Sequence, residues 1–422
     1  MDLPWFARAL GVMAALALVI VVARLAMRVA STPVALAGAV VLAADAGLAV
    51  WSQSGLESAG FALALTLLAT VVAAVASDPS PRLLLLAGLL AGALPLVRPE
   101  GFALGALAVA VCWRSAGGKR YGRLLLLVPA LAVAAALTAW RLGEYGAWLP
   151  ASAAAKLTFR PDALAAGAGS LVHGFGRRLV VVAGAAWLVN RLRSRASAGA
   201  ALAAWRDMTV GSTILIAGMV LSSGGDWMGH DRLILPVVPL LVVTAVAAFP
   251  APRFGGAALF LFAALAVIGP AWHADRIPLH GHAARRLGEW LAGNSPDSTL
   301  LGVAAAGAVP YHSGLRTIDA LGITDPAIAR TPPVPGAAWM PGHGHYDTEK
   351  FLAARPDIIV WEYGTSWSRQ RMAEPSEGVP VRRGDYRREL LRHPSFRAGW
   401  RPMPGVPAEV EGWFSVFRRV RD

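Results

Sequence analysis

The stretch that decides the fold is Gly224-Gly225-Asp226-Trp227-Met228-Gly229-His230-Asp231-Arg232, which stands between the apolar runs Thr209–Leu221 and Leu233–Phe249. We interpret both runs as membrane segments, with two acids, a histidine and an arginine between them. Ionisable side chains at membrane depth are costly unless they meet partners, and they commonly mark function. The stretch therefore predicts a polar site at the surface of a bilayer.

The composition is that of an integral membrane protein. Of the 422 residues, 56% are hydrophobic and only 15% are charged, whereas soluble proteins have roughly 45–50% apolar residues. The formal charge of +13 raises nucleic acid as a partner. However, the basic residues form short clusters beside apolar runs, which is typical of topology signals, and no nucleic-acid-binding motif is present. Cys112 is the single cysteine, which excludes an intramolecular disulfide and a multi-cysteine metal site.

The apolar runs predict about ten membrane helices. The first run lacks a small-residue cleavage site and is longer than the roughly 7–15 apolar residues of a signal peptide, so we expect a retained helix. The predicted segments are Phe6–Met27, Pro33–Val50, Glu57–Ala76, Arg82–Val97, Gly101–Trp113, Leu124–Trp140, Leu179–Val189, Thr209–Leu221, Leu233–Phe249 and Phe254–Trp272.

The basic residues of the short loops predict the orientation, because positively charged loops stay in the cytoplasm. The clusters near Arg28, Arg120, Arg193 and Arg253 fall on one side if the helices alternate. The opposite, exterior side then receives Trp51–Glu57, Arg98–Gly101, Arg141–Arg178, Gly224–Arg232 and everything after about His273. This topology also leaves Met1 outside, which leads us to expect a further helix and loop upstream.

The composition changes after His273, so we divide the chain into a transmembrane domain, residues 1–274, and an exterior α/β domain, residues 275–422. In the second domain the residue patterns predict helices over Ala283–Ala292 and Thr348–Ala354, and strands over Leu300–Ala305, Thr317–Ala320 and Asp357–Trp361.

Two further patterns in this domain are weaker signals. His343 and His345 with Asp347 resemble a metal-binding group, but in a glycine-rich loop we expect them to face solvent. The arginine-rich stretch Val381–Arg392 is expected to be a solvated surface.

The exterior turns carry the polar candidates, and each has a plain structural alternative. Glu57 stands at a helix start, where it can simply cap the helix. Arg98 suits bidentate contact with a phosphate, but Arg98 and Glu100 can also form only a structural ion pair. Tyr145, followed by Lys156, lies in an amphipathic loop that can serve as an interfacial anchor.

In the central stretch, Asp226 and Asp231 can hold a divalent cation or accept a proton from a sugar hydroxyl. His230 can serve as acid or base near neutral pH. The alternative for all three is an internally satisfied loop network.

Together these motifs, in this order, resemble polytopic GT-C glycosyltransferases that use lipid-linked sugars, in particular the branch of the mycobacterial terminal arabinofuranosyltransferases. The resemblance covers about Pro33 to Trp361. Its motifs are Gly55-Leu56-Glu57, Arg98-Pro99-Glu100-Gly101, Tyr145-Gly146 with Trp148-Leu149-Pro150 and Lys156, and Gly224-Gly225-Asp226-Trp227-Met228 with Arg232 and Leu235-Pro236.

The resemblance implies transfer of a sugar from a polyprenyl-phosphate donor to a cell-envelope glycan or lipid at the exterior face of a bacterial inner membrane. It implies Asp226 and Glu57 as catalytic residues. Substrate binding falls to Arg98, Glu100, Tyr145, Lys156, His230 and Arg232, with Arg98, Lys156 and Arg232 on the donor phosphate. No metal ligand is assigned, and a divalent cation stays open as a cofactor.

The chain departs from the family pattern at two points. Ala151 stands where the family has an asparagine after Leu-Pro. The family's catalytic acidic motif, an Asp pair in the first exterior loop, has no counterpart before Pro33. We therefore expect either a missing upstream piece or a lost catalytic acid, and the second case favours a non-catalytic glycan-binding or scaffold protein descended from such an enzyme. A transporter is disfavoured, because the sequence shows neither inverted repeats nor broken helices that face a site at the midplane of the membrane.

Overall fold

The computed structural model describes residues 3–115, 120–154, 161–176, 178, 199–226, 228, 230–248, 276–332, 334, 345–362, 386–411 and 413–420. The described part is mostly helical and includes one five-stranded sheet. The chain forms two compact units. The helical unit comprises Met1–Pro150 with Gly167–Ala271, and the sheet unit comprises Ala151–Ala166 with Trp272–Asp422.

The helices of the first half follow the predicted apolar runs closely. They are α1 (Leu3–Met27), α2 (Thr32–Ala43), α3 (Ala46–Ser52), α4 (Ser58–Ser77), α5 (Pro81–Val97), α6 (Gly101–Ser115) and α7 (Arg120–Tyr145). After them come α8 (Ala151–Ala154), α9 (Pro161–Gly176), α10 (Ala200–Ser223), a 3₁₀ turn (Leu235–Val237) and α11 (Val238–Ala248). The predicted segments Leu179–Val189 and Phe254–Trp272 lie outside the described residues.

Three of the described helices, α1, α4 and α7, are long and apolar enough to cross a membrane, and a bent helix pair would make a fourth. Only 22% of the most apolar window of α1 and 17% of that of α7 are buried within the protein. Side chains such as Leu16 and Leu131 are exposed. Large exposed apolar faces of this kind are what contact with lipid requires.

One predicted segment is broken. The run Pro33–Val50 is not one helix but the pair α2 and α3, which meet at an angle of 55°. Asp45 lies at the break, and its carboxylate accepts a hydrogen bond from the backbone N–H of Leu48 at 3.1 Å. The break has a local cause, because aspartate at an N-cap satisfies a backbone donor that a continuous helix would use otherwise.

The helices of this unit pack closely through small residues. A Cβ added to Gly88 of α5 would lie 2.4 Å from the carbonyl oxygen of Leu126 in α7. The core includes Phe61, Leu65 and Leu104 with neighbouring apolar side chains of α2, α10 and α11. Contact between small residues is the usual way for apolar helices to associate in lipid, where burial alone supplies no driving force.

The sheet unit contains five strands in the order β2-β1-β3-β5-β4. The strands are β1 (Leu300–Val303), β2 (Arg316–Asp319), β3 (Ile358–Glu362), β4 (Trp400–Pro402) and β5 (Phe414–Arg419). The strand β1 is parallel to β2 and β3, while β5 is antiparallel to β3 and β4. The helices are α12 (Arg276–Asn294), α13 (Ala308–Ser313), α14 (Pro326–Ala329), α15 (Thr348–Ala353), α16 (Tyr386–Arg392), α17 (Pro394–Gly399) and α18 (Ala408–Glu411).

Successive side chains of each strand point to opposite faces of the sheet, so the strands contribute apolar side chains to a core on each face. Val360 points into one core with Leu287 and Leu291 of α12. Ile359, the preceding residue, points into the other core with Phe351 of α15. This arrangement confirms the α/β fold of the second domain and its five predicted elements, to within two residues except for the start of the first helix.

Two expectations for the sheet unit were wrong. His345 is 7% exposed rather than solvent-facing, because its imidazole packs inward and its Nδ1 lies 2.6 Å from the carbonyl oxygen of Thr331. In the predicted surface Val381–Arg392, the described part is a helix that buries Tyr386 and Leu390 against the sheet. His343 lies outside the described residues.

Candidate functional site

The polar stretch after α10 is held in an unusual backbone conformation. Gly224 ends the helix with φ of 75°, and Gly225 follows with φ of 97°, values that glycine adopts without steric cost. His230 and Asp231 also have positive φ, 61° and 52°. Two consecutive residues with side chains in the left-handed region store strain, which persists only where the surroundings fix the conformation, as they commonly do at functional sites.

In this stretch an arginine donates through more than one nitrogen to carboxylate oxygens, an arrangement that we call a fork. Arg232 donates from Nε and Nη2 to the two carboxylate oxygens of Asp226, at 3.1 and 3.2 Å. Both side chains are about nine-tenths buried. The Arg232 guanidinium lies over the ring of Trp51 in α3, 5.5 Å from its centroid. The aspartate and the aromatic face together fix the orientation of the guanidinium plane.

The Arg98-Pro99-Glu100-Gly101 turn between α5 and α6 supplies a second buried arginine. Arg98 donates to Glu100 at 2.8 Å and to Glu57, at the start of α4, at 2.9 Å. The predicted Arg98–Glu100 ion pair is therefore present, and it extends to the Gly55-Leu56-Glu57 motif. Burial alone would lower the pKa of Arg98. The charges of Glu100, Glu57 and Asp226 outweigh burial, so the pKa is raised and the guanidinium stays charged.

The charge of Asp226 is among the causes that raise the pKa of Arg98, so the two forks interact electrostatically. Residues from three separate motifs, Glu57, Arg98 with Glu100, and Asp226 with Arg232, thus belong to one charged cluster.

A third fork lies beside this cluster. Arg178, just after α9, donates to both carboxylate oxygens of Asp45 at 2.7 and 3.0 Å and to Asp231 at 3.0 Å. All three side chains are about nine-tenths buried. Burial opposes the charge of Arg178, but the two carboxylates outweigh it and raise the pKa. In the described residues the three forks contain three arginines and five carboxylates, namely Asp45, Glu57, Glu100, Asp226 and Asp231.

Of the other three predicted substrate contacts, Tyr145 and His230 lie within the described residues. Tyr145 ends α7 with its side chain 60% exposed, and its ring meets the edge of Trp140 at 5.5 Å. Lys156 lies outside the described residues, as does Trp227. His230 contributes its backbone carbonyl, which accepts a hydrogen bond from the Trp51 indole at 3.3 Å. Over the described ranges, no group of three or more His, Cys, Asp or Glu side chains has the arrangement of a metal site.

The sequence does not single out Arg178, and it predicts no partner for Asp45, an acid within the predicted membrane run Pro33–Val50. One signal was available for Arg178, since it directly precedes the apolar run Leu179–Val189 and charged residues at membrane depth need partners. Its two aspartates, however, lie 133 and 53 residues away. No local pattern predicts pairing over such distances.

Asp319 and His345 are two of the buried polar residues of the sheet unit. Asp319 ends β2 and accepts hydrogen bonds from the backbone of Leu321 and Thr324 at 2.9 and 2.8 Å. Burial nevertheless raises the pKa of Asp319 above its ordinary value, against the effect of these bonds. His345 donates from Nδ1 to the carbonyl of Thr331, and its buried Nε2 has no hydrogen-bond partner among the described residues.

Comparison with known families gives one match, which covers the sheet unit. A family model described as a domain of unknown function (DUF8728) matches residues 274–417. Neither the curated proteins nor the solved structures contain a match to the chain.

Proposed function

We propose that this chain is a polytopic glycosyltransferase of the GT-C type, with about ten membrane helices, in a bacterial inner membrane. It moves a sugar from a polyprenyl-phosphate donor to a cell-envelope glycan or lipid on the exterior face. The observation that carries the proposal is the convergence of Glu57, Arg98 with Glu100, and Asp226 with Arg232, which the sequence motifs named separately.

The two arginines suit the donor phosphate. A guanidinium binds phosphate through parallel N–H donors, and its positive charge offsets the charge that develops on the leaving phosphate. Arg98 and Arg232 are held by carboxylates and lie near aromatic rings, with the Arg98 guanidinium 5.9 Å from the centroid of Phe61. The lipid tail of the donor stays in the bilayer, and its phosphate reaches the guanidinium groups at the surface.

The contacts also separate the roles of the two catalytic candidates. Both carboxylate oxygens of Asp226 are bound by Arg232, so Asp226 is suited to orienting that arginine. The Glu57 side chain is 40% exposed and binds Arg98 through Oε1, while Oε2 has no hydrogen bond to a described residue. Glu57 therefore accepts the proton of the acceptor hydroxyl. The hydroxyl oxygen then bonds to the anomeric carbon, and polyprenyl phosphate leaves with the electron pair of the broken C–O bond.

The test uses the purified full chain in lipid nanodiscs with radiolabelled polyprenyl-phosphate sugars, arabinofuranose first, and envelope glycan fragments as acceptors. Removing a general base costs roughly 10²–10⁴-fold in rate. We therefore expect Glu57→Gln to lower kcat by at least about 10²-fold with little change in donor KM. Asp226→Asn loosens Arg232, and we expect it mainly to raise donor KM.

The matched control is Glu144→Gln, which makes the same change at an exposed carboxylate near the end of α7 and should leave transfer unchanged. Full turnover by Glu57→Gln would contradict the assignment of the base.

A non-catalytic glycan-binding or scaffold protein is the second candidate. It is favoured by the forks themselves, because each arginine is already neutralised by internal carboxylates. If no sugar donor of the panel supports transfer but the nanodiscs bind glycan fragments, this candidate replaces the enzyme.

A further inference from the structure

Arg178 is more fully engaged than the two arginines assigned to the donor phosphate: it donates four hydrogen bonds, whereas Arg98 donates three and Arg232 donates two to Asp226. All three of its guanidinium nitrogens donate: Nε and Nη2 to Asp45, and Nη1 both to Asp231 and to the backbone carbonyl of Gly174 at 2.9 Å. The side chain is 8% exposed. A guanidinium has five N–H groups, so at most one stays available for a ligand. Its contacts are those of a connector within the protein.

The two aspartates it joins belong to different parts of the charged cluster. Asp45 forms the break between α2 and α3 and caps α3, the helix that carries Trp51. Asp231 directly precedes Arg232, whose guanidinium lies over the Trp51 ring. Arg178 therefore fixes the distance between the aromatic face and the arginine that lies on it.

Two further contacts also join α3 to the segment that carries Arg232. The Trp51 indole donates to the carbonyl of His230. A Cβ on Gly47 would lie 2.7 Å from that carbonyl oxygen and 3.1 Å from Nη2 of Arg178. The left-handed backbone at His230 and Asp231 is thus enclosed by α3 on one side and bonded to Arg178 on the other. A strained conformation needs surroundings of this kind to persist.

We propose that Arg178 is a positioning residue of the donor site, which holds the strained segment 230–232 against α3 so that Arg232 meets the donor phosphate. This inference rests on the proposed function for the identity of the ligand, but not for the connection itself. Since a lysine is a point charge without a fork, it cannot serve two carboxylates in this geometry.

The experiment compares three variants of the full chain in nanodiscs. The first is Arg178→Lys. The second, Asp45→Asn with Arg178→Met and Asp231→Asn, removes the network without leaving a buried charge unpaired, and it keeps the test valid if the first variant does not fold. The control is Arg206→Lys, which alters an arginine that pairs with Asp207 in α10, outside the site.

Two measurements are made on each. Hydrogen exchange followed by mass spectrometry reports on the peptide 224–234 without any ligand, and initial rates give donor KM and kcat with polyprenyl-phosphate arabinofuranose. We expect at least about tenfold faster exchange in this peptide for both network variants and not for the control. We also expect a rise of about tenfold or more in donor KM, with kcat at saturating donor changed less than threefold.

The outcomes separate the two proposals. If the wild-type protein transfers no sugar and both network variants still exchange faster in the peptide 224–234, the result supports the positioning role and contradicts the proposed function. Unchanged exchange in both network variants overturns the positioning role, whatever the transfer rates. A fall in kcat without a rise in KM in a folded variant also overturns it, because positioning for donor binding should act through KM.

Discussion

Among the described residues, ion pairs in which both partners are about nine-tenths buried occur in the helical unit, whereas every ion pair of the sheet unit has partners that are at least about a quarter exposed. In the helical unit, Arg98 and Arg178 are buried and bind carboxylates 41 and 133 residues away. In the sheet unit, Arg285–Glu289 and Lys350–Asp347 join residues within one helical turn, and at least one partner is half-exposed or more. The buried pairs between distant residues specify which parts of the chain meet. The exposed pairs within one helical turn lie on the surface of a fold that is already determined by its apolar cores.

The difference follows from what burial does to a charge. An exposed pair stays solvated and contributes roughly 0–1 kcal/mol. A buried pair contributes little net stability, because desolvation offsets the attraction, but removing one partner costs about 3–5 kcal/mol. Buried forks therefore penalise every arrangement other than the one observed, which suits a site whose geometry matters.

Gly47→Ala tests the helical unit with the largest expected effect. The added Cβ would lie 2.7 Å from the carbonyl oxygen of His230, which is backbone and cannot move alone. We expect a loss of about 1–3 kcal/mol in unfolding free energy, the usual cost of overpacking, together with impaired transfer. Thermal unfolding in detergent measures the first and the nanodisc assay the second.

The control for this change is Gly60→Ala in α4. No atom lies within 4 Å of a Cβ added there, and alanine favours a helix over glycine by up to about 1 kcal/mol. The control should therefore be neutral or stabilising. Equal losses of unfolding free energy at Gly47 and Gly60 would show that the contacts of Gly47 with His230 and Arg178 are not what makes the first substitution costly.

The same difference explains how much the sequence could predict. Apolar runs locate α1 to α7, α10 and α11, and residue patterns locate β1, β2 and β3, because these signals are local in the chain. The strands β4 and β5 were missed. The strand β4 has only three residues, and β5 ends with two consecutive arginines, Arg418 and Arg419, which interrupt its apolar pattern.

In the site, the motifs named Glu57, Arg98, Glu100, Asp226 and Arg232, but of their contacts the sequence offered only the Arg98–Glu100 ion pair. The Asp45 break looked like the interior of a membrane run because one polar residue does not interrupt an apolar pattern. Its role depends on Arg178, and the pairing of two residues so far apart is a property of the tertiary structure alone.

Asp319→Asn probes the sheet unit through pH, with a smaller effect. Burial raises the folded-state pKa of Asp319, so the protonated carboxyl stabilises the fold relative to the ionised one. Wild-type stability should therefore rise relative to the variant as pH falls through the raised value, and the difference should level off below the ordinary value of about 3.9.

Hydrogen exchange of the peptide 316–324, compared between the two proteins at each pH from 7 to 3.5, measures this difference. A difference that is constant across the range would contradict the raised pKa. The opposite trend would mean that the hydrogen bonds from Leu321 and Thr324 outweigh burial.

Lys350→Ala tests an exposed ion pair of the sheet unit and has the smallest expected effect of these predictions. The ammonium lies 3.4 Å from Asp347 and is 57% exposed, so its loss should cost less than about 0.5 kcal/mol. The backbone N–H of Lys350 still donates to Asp347 at 2.9 Å in the variant, and this N-cap is what holds α15.

Asp347→Ala removes the cap and should cost about 1 kcal/mol. Exchange of the peptide 345–362 distinguishes the two, and a larger effect from Lys350 than from Asp347 would show that surface charge in this unit does more than decorate the fold.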